Sequence, residues 1–332
     1  FHSNDCKNLF ELVDFNKPLD DSLEPGLIWP EQNAIQKHVI SCVSISCIDL
    51  NRIQKRRFKV VIDAVNGAGS EALPVLLESL GCDVIKLNCE PDGNFCRGTE
   101  PLPEHLKDLG NMVKDYNADA GFAIDPDADR LAVVDEKGQP LGEEYTLVLA
   151  VDGYLKETRK KEKFVVNLST SLAIEKLAMR YKSIVKRSAV GEINVVNMMN
   201  EINSNLGGEG NGGVILRECH LGRDSMVGAT MVLNRMSLSN STLSEIHATL
   251  PIFKIVKDKI NIDGIDVDNA IRNINSLFEG AKVDRIDGIK FTWNDKWVHI
   301  RKSNTEPILR IYAEAPNRNQ AKELVDKVKM AI

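Results

Sequence analysis

Three aspartates stand at alternate positions in the segment D-P-D-A-D-R, which spans residues 125–130 and ends at Arg130. Alternate spacing on a turn lets the side chains of Asp125, Asp127 and Asp129 converge, and three close carboxylates repel one another unless a cation lies between them. Hard oxygen ligands of this kind suit Mg²⁺ or Ca²⁺. The segment therefore predicts a divalent metal site, with Arg130 placed to bind the same anion that the metal contacts.

Two other interpretations of this segment compete with the predicted metal site. A solvated acidic turn would hold no ligand, but this turn directly follows the apolar run A-G-F-A-I (120–124), and open α/β sheets bind ligands where such strands end. An EF-hand loop would place Asp125 first and Glu136 twelfth, which fits the spacing. Its sixth position, however, is Arg130 instead of the glycine that the sharp turn needs, and strands are predicted on both sides. We therefore reject the EF-hand.

A second set of anion-binding side chains lies in R-K-S-N-T-E-P-I-L-R, residues 301–310. Hydroxyl groups, successive backbone N–H groups and two guanidinium groups form a nest suited to a phosphate. An Asx turn between two surface arginines is the alternative. The predicted phosphate-binding residues are Arg301, Ser303, Asn304, Thr305 and Arg310.

The third candidate is the glycine-rich segment G-G-E-G-N-G-G, residues 207–213. Glycines allow the backbone to approach a ligand closely, while Glu209 and Asn211 offer the acceptors and donors that sugar hydroxyls need. The segment has no Walker or dinucleotide-binding pattern, and alone it is a weak signal. Lesser candidates are Arg187 and Ser188 with Gly191 and Glu192, and the pair Arg223 and Asp224; either group could belong to the surface.

Composition excludes several classes of protein. The net charge of −6 argues against general nucleic-acid binding. No apolar run approaches the ~20 residues that a membrane span needs. The seven cysteines show neither metal-site nor disulfide-framework spacing, and they predict reduced thiols in a cytoplasmic protein.

The elements that position these residues follow from apolar periodicity. Strand-like runs alternate with helical segments up to about residue 251, which predicts two α/β units with mixed sheets. After Pro251 the alternation has period two, which predicts an α+β domain with strands at 253–262, 281–285, 288–293 and 297–301 and helices near 267–279 and 317–331. The predicted domains are 1–30 (little periodicity, the remnant of an earlier domain plus a linker), 31–150, 151–251 and 252–332.

In their order along the chain, these three loops resemble those of the α-D-phosphohexomutase superfamily, which includes phosphoglucomutase/phosphomannomutase and phosphoglucosamine mutase. D-P-D-A-D-R is similar to the family's D-G-D-G-D-R magnesium loop. G-E-G-N-G-G resembles its G-E-x-S-G-H sugar loop, with Asn211 in place of Ser and Gly213 in place of His. R-K-S-N-T-E-P is similar to its R-x-S-G/N-T-E-P phosphate loop.

The resemblance implies a fold of three α/β domains and a fourth, helix-grip domain, of which this chain would lack the first. It also implies that the three aspartates hold Mg²⁺, that Arg130 is catalytic, and that hexose phosphate and hexose bisphosphate are bound by Arg187, Glu209, Asn211 and the residues of the 301–310 loop. The family's phosphoserine lies in T-A-S-H-N-P, and no S-H-N-P occurs in this sequence. The nucleophile is therefore expected outside these residues.

The implied activity is the interconversion of hexose 1-phosphate and hexose 6-phosphate through an enzyme phosphoserine and a bisphosphate intermediate. We expect glucose or mannose phosphates as substrates, with phosphoglucosamine mutase as the alternative. From other classes, a non-catalytic sugar-phosphate-binding paralogue and a phosphatase with an aspartate nucleophile stay open. A monomer or homodimer is expected, with no nucleic-acid or membrane partner.

Overall fold

The structure is a computed structural model that describes residues 3–14, 24, 26–262, 274, 277–303 and 306–332. Residues 1–34 and 35–332 form two compact units. The first contains helix α1 (Ser3–Asp14), in a segment where little periodicity was expected. The second contains the three sheets formed by the described residues.

The first sheet has the strand order β2–β1–β3–β4, in which the first three strands run parallel and β4 is antiparallel to β3. Three of its strands are nearly continuous apolar runs because helices cover both faces, while the edge strand β2 keeps Asp83 and Lys86 exposed. Ile62 and Phe122 face one apolar cluster, and Val61 and Ala123 face another. The strands are β1 (Lys59–Asp63), β2 (Asp83–Leu87), β3 (Ala120–Ile124) and β4 (Leu131–Asp135). The helices are α2 (Ala34–Val43), α3 (Leu50–Arg56), α4 (Gly69–Ser79) and α5 (Lys107–Asp115), with a 3₁₀ turn at Pro103–His105.

The second sheet repeats this topology in the order β6–β5–β7–β8, again with only the last strand antiparallel. Strand β7 was missed in the sequence, where its glycines were assigned to a loop. The strands are β5 (Lys163–Asn167), β6 (Ile184–Ser188), β7 (Leu206–Gly208) and β8 (Val214–Leu216). The helices are α6 (Glu144–Thr158), α7 (Ala173–Arg180), α8 (Glu192–Ile202), α9 (Ser225–Ser237) and α10 (Leu243–Ala248).

The third sheet is antiparallel, in the order β10–β11–β12–β13–β9, and shares an apolar cluster with the C-terminal helix. Strand β13 was not predicted, although it lies inside the sheet between β12 and β9. The predicted helix near 267–279 lies mostly outside the described residues. The elements are β9 (Lys254–Asn261), β10 (Lys282–Asp284), β11 (Ile289–Thr292), β12 (Trp297–Lys302), β13 (Ile308–Ala315) and α11 (Arg318–Ala331).

The fold class expected from the sequence is thus confirmed: two α/β units with mixed sheets precede an α+β unit with an antiparallel sheet. The two α/β units share one continuous apolar core, to which helices α6 and α9 contribute from between the sheets. The domain boundaries stay predictions. Within the described ranges, no helix is both long and apolar enough to cross a membrane.

Candidate active site

The three aspartates converge where β3 ends. One carboxylate oxygen from each of Asp125, Asp127 and Asp129 lies within 4.8 Å of the others. Asp125 Oδ1 closes the turn by accepting the backbone N–H groups of Asp129 and Arg130, both at 3.0 Å. Burial raises the pKa of the Asp125 carboxyl to about 7, and the charges of Asp129 and Asp127 add to that rise.

This donor set fits a hard divalent cation. It consists of carboxylate oxygens only, which is the ligand type that Mg²⁺ and Ca²⁺ take. The Oδ1 atom of Asp129 is buried and has no hydrogen-bond partner among the described residues. A cation bound by Asp125, Asp127 and Asp129 would neutralise the repulsion among them.

Arg130 is the last residue of this metal loop (residues 125–130), and its guanidinium lies between the aspartates and the exposed Glu100. Its Nη1 donates to Glu100 Oε1 at 2.9 Å. Its Nε lies 3.3 Å from Asp125 Oδ2 and 3.5 Å from Asp129 Oδ1. The guanidinium thus borders the predicted metal position.

Arg223 joins the metal loop to the glycine-rich loop (residues 207–213). Its Nη2 pairs with Asp129 Oδ2, and its Nη1 donates to Glu209 Oε2 at 3.0 Å. Its Nε donates to Glu192 Oε2 at 3.1 Å. In the sequence Arg223 was a lesser candidate that could belong to the surface, yet its guanidinium here bonds three carboxylates from separate segments.

Glu209 is buried at the base of the glycine-rich loop. Its Oε1 accepts from Asn167 Nδ2 at 2.7 Å and from the backbone N–H of Gly191 at 3.1 Å. Asn211 Nδ2 lies 3.5 Å from Glu209 Oε2. These bonds fix the carboxylate and leave the loop's polar groups along the wall of a cavity.

Gly212 sets the contact between the two loops. Its backbone φ is +91°, and a Cβ atom at this position would lie 2.4 Å from the carbonyl oxygen of Leu131. The Leu131 N–H in turn donates to the Gly212 carbonyl at 3.1 Å. A glycine is therefore required here, because a side chain would push the glycine-rich loop off the start of β4.

Two guanidinium groups lie side by side in the third sheet. Arg301 and Arg310 are cross-strand partners on β12 and β13, and both line the cavity. The Nε atom of each is buried and without a hydrogen-bond partner among the described residues. Arg310 Nη2 lies 3.5 Å from Oε2 of the half-exposed Glu306. The two arginines offer positive charge to an anionic ligand.

The remainder of the predicted phosphate nest is described only in part. Ser303 is buried, its backbone N–H donates to the Ile308 carbonyl at 2.9 Å, and it does not line the cavity. Asn304 and Thr305 lie outside the described residues. Their predicted roles stay predictions.

Arg187 was predicted to bind substrate, but the structure does not bring it to the cavity. Its Nε donates to Glu175 Oε1 at 2.7 Å. Its Nη1 donates to the carbonyl groups of Asn167, Leu168 and Thr170 at 2.9, 3.0 and 2.8 Å. The donors of Arg187 are thus used in holding the segment after β5, which is a structural role.

The cavity has a volume of about 490 Å³, which falls in the usual range for small-molecule sites of about 300–1,000 Å³. It brings together five of the predicted residues, namely Arg130, Glu209, Asn211, Arg301 and Arg310. It is also lined by Glu192 and Arg223, which were lesser candidates in the sequence, and by polar residues that the sequence did not single out: Glu100, Glu143, Asn167, Ser169, Lys257 and Tyr312.

Ser169 reaches the cavity wall with its hydroxyl held by a buried histidine. His299 Nε2 lies 2.7 Å from the carbonyl oxygen of Asp287, which can only accept, so this nitrogen carries the proton. His299 Nδ1 therefore accepts from the Ser169 hydroxyl, at 2.9 Å. Burial lowers the pKa of His299 to about 4, so the imidazole is neutral at neutral pH.

Comparison with known proteins gives this arrangement a family. Residues 36–138 and 142–252 match the sequence models described as alpha/beta/alpha domains II and III of phosphoglucomutase/phosphomannomutase, and residues 257–331 match its C-terminal domain. The chain belongs to the phosphoglucomutase/phosphomannomutase family. The resemblance to the α-D-phosphohexomutase superfamily is thereby confirmed.

Relatives in this family carry mutase names. The phosphoglucomutase/phosphomannomutase of Thermococcus kodakarensis is 37% identical over 90% of this chain and 66% of its own length. A probable phosphoglucosamine mutase of Methanopyrus kandleri is 32% identical over 92% of this chain and 67% of its own length. Further relatives at 31% identity are also named phosphoglucosamine mutase. The chain thus spans about two thirds of these proteins.

A solved structure supports the fold. The chain superposes over its whole length on 70% of a phosphoglucomutase/phosphomannomutase family protein from Burkholderia thailandensis, with a TM-score of 0.83 at 23% identity. At that identity the likeness establishes the architecture of the family. The assignment of roles to single residues rests on the site itself.

Proposed function

We propose that the whole protein is a phosphohexomutase, which moves a phosphoryl group between the 1- and 6-positions of a hexose through a bisphosphate. One observation carries the proposal. A single cavity is lined by the guanidinium pair of Arg301 and Arg310, by the glycine-rich loop, and by Arg130 and Arg223, which contact Asp125 and Asp129 of the metal loop. A phosphorylated sugar needs these three kinds of group together.

Each part of the ligand has a matching set of residues in this proposal. Arg301 and Arg310 bind the phosphate that does not react, because charge-assisted bidentate bonds suit a phosphate dianion. Glu209 and Asn211 accept from and donate to sugar hydroxyls. Binding energy from the distant phosphate then holds the reacting oxygen in position.

The chemistry is placed at the metal loop. Mg²⁺, held by Asp125, Asp127 and Asp129, would neutralise the charge on the transferring phosphoryl group. Arg130 borders the same position and grips a phosphoryl oxygen. The phosphoryl donor is a phosphoserine from a part of the protein outside the printed sequence, since that sequence contains no S-H-N-P.

The sugar preference is a second, finer proposal. We predicted glucose or mannose phosphates from the sequence. The names of the relatives give more support to glucosamine phosphate, because several at about 30% identity are phosphoglucosamine mutases. We therefore propose hexosamine phosphate as the preferred substrate and hexose phosphate as the alternative.

An isomerase assay of the full-length protein tests both proposals. Glucose, mannose and glucosamine 6-phosphates are supplied with a catalytic amount of the matching bisphosphate, with and without Mg²⁺. Formation of the 1-phosphate that depends on Mg²⁺ supports the mutase, and the highest kcat/KM identifies the sugar. Tight binding without turnover would favour the non-catalytic paralogue instead, and steady release of inorganic phosphate would favour the phosphatase.

A further inference from the structure

A second group of metal-ligand side chains lies away from the cavity, and half of it comes from helix α2. His38 and Cys42 are four residues apart, so their side chains stand on the same face of this helix. Cys42 Sγ lies 3.7 Å from His38 Nε2. Cys42 is buried, while His38 is partly exposed.

The other half comes from the connection between β8 and α9. Cys219 follows β8 closely, and Asp224 is the N-cap of α9, where its Oδ1 accepts the N–H groups of Met226 and Val227 at 2.7 and 3.2 Å. Its second oxygen, Oδ2, is therefore directed away from the helix. That oxygen lies 2.6 Å from His38 Nε2.

Four ligand atoms converge as a result. They belong to His38, Cys42, Cys219 and Asp224, and all lie within 4.8 Å of one another. Tetrahedral zinc with bonds of about 2.3 Å to sulfur and about 2.0–2.1 Å to nitrogen separates those two ligand atoms by about 3.6 Å. The observed distance of 3.7 Å between Cys42 Sγ and His38 Nε2 agrees with this value. The 2.6 Å between His38 Nε2 and Asp224 Oδ2, in contrast, is that of a hydrogen bond, which zinc would replace by a longer separation.

We propose that these four residues form a zinc site, distinct from the metal loop. Two thiolates and one imidazole are soft or borderline ligands, which select Zn²⁺ over Mg²⁺. Four protein ligands close the coordination shell, which is the arrangement of a structural site. His220 lies beside the site, with its Nε2 2.9 Å from Asp224 Oδ2.

The zinc would tie two domains together next to the cavity. Its ligands come in pairs from the segment matched to domain II and the segment matched to domain III. Asp224 directly follows Arg223, which bonds both Asp129 and Glu209. The metal would hold the chain at this arginine and so support the bridge between the two active-site loops.

The cysteine spacing gave no sign of this site. Each segment supplies only one cysteine, and the two segments are far apart in the chain, so no paired Cys pattern exists. The fold alone brings helix α2 against the start of α9.

Metal analysis of the full-length protein, purified with Zn²⁺ and without chelators, tests the proposal. We expect one zinc per chain in the wild type and none in the Cys42→Ser/Cys219→Ser double variant. The matched control, Cys47→Ser/Cys82→Ser, replaces two free cysteines outside the cluster and should keep the metal. Asp127→Asn should also keep the zinc while requiring more Mg²⁺ for activity, which separates this site from the proposed function.

A second measurement does not depend on any variant. Replacing zinc by Co²⁺ in the wild-type protein should produce the thiolate-to-cobalt charge-transfer absorption of a tetrahedral sulfur site. Absence of both this absorption and stoichiometric zinc would overturn the proposal. So would equal zinc in the double variant, or a Cys42–Cys219 disulfide in metal-free protein handled under reducing conditions.

Discussion

Replacing Arg310 by alanine removes one of the two guanidinium groups that face the cavity. Its Nε has no partner among the described residues, and its Nη2 has only the contact of 3.5 Å with Glu306. Most of its hydrogen-bonding capacity is therefore available to a phosphate. A hydrogen bond to a charged group contributes about 1.5–3 kcal/mol.

We assign the free energy of one such hydrogen bond to the whole guanidinium, because the side chain is 33% exposed and water screens part of its charge. The expected loss is then about 1.5–3 kcal/mol, which corresponds to a rise in KM of about 10- to 150-fold. The contact with the distant phosphate also holds the reacting oxygen in position, so kcat should fall together with the rise in KM.

The assay is the isomerisation of a sugar 6-phosphate by the full-length protein at saturating Mg²⁺. Arg180→Ala is the matched control, since it removes the same charge from an exposed position where the guanidinium only approaches the Thr249 carbonyl, at 3.4 Å. A KM for Arg310→Ala within about twofold of the wild type would refute the phosphate-binding role. Arg310→Lys should recover only part of the loss, because an ammonium group cannot form the bidentate pair.

Three other outcomes are expected. Asp127→Asn should raise the Mg²⁺ concentration for half-maximal activity at least about tenfold. The control Asp295→Asn, at an exposed position, should leave that concentration unchanged. Equal Mg²⁺ activation curves for the two variants would contradict the metal assignment. The unfolded chain protonates His299 near pH 6.5 and the folded chain near pH 4, so stability should fall by up to about 3 kcal/mol as pH drops through this window. His299→Gln should flatten that slope in urea titrations, and an unaltered slope would show that another group causes it. Gly212→Ala should cost about 1–3 kcal/mol in the same titrations, because its Cβ would meet the Leu131 carbonyl; an unchanged midpoint would mean that the loop adapts.

Elements whose side chains are buried on both faces were predictable from the sequence. Strands β3 and β4 have the predicted bounds, because each is an uninterrupted apolar run that ends in a turn. Strand β13 was missed for the opposite reason. Its alternate residues Arg310 and Tyr312 line the cavity, so the strand's polar face resembles a ligand-binding loop. The same polar residues led to the prediction of a phosphate site and prevented the prediction of the strand.

Site residues whose roles depend on contacts between distant segments could not be predicted from the sequence. The aspartates and Glu209 were found because each lies in a short, distinctive segment. The role of Arg223 depends on carboxylates in three other segments, which the sequence around Arg223 does not reveal. Its position just before the N-cap residue of an apolar helix was the one available signal. Arg187 shows the reverse case, since nearby carbonyl groups take up its donors and its predicted substrate-binding role stays a prediction.

The two α/β sheets have the same strand order, and each carries its distinctive loop at the hairpin between its third and fourth strands. One hairpin holds Asp125, Asp127 and Asp129, and the other holds Glu209 and Asn211. The polar residues of each unit are therefore concentrated at a few hairpin positions above the same sheet topology. Substitutions in the second hairpin can change its polar groups without rebuilding the aspartate cluster, provided that Arg223, which bonds both hairpins, is retained.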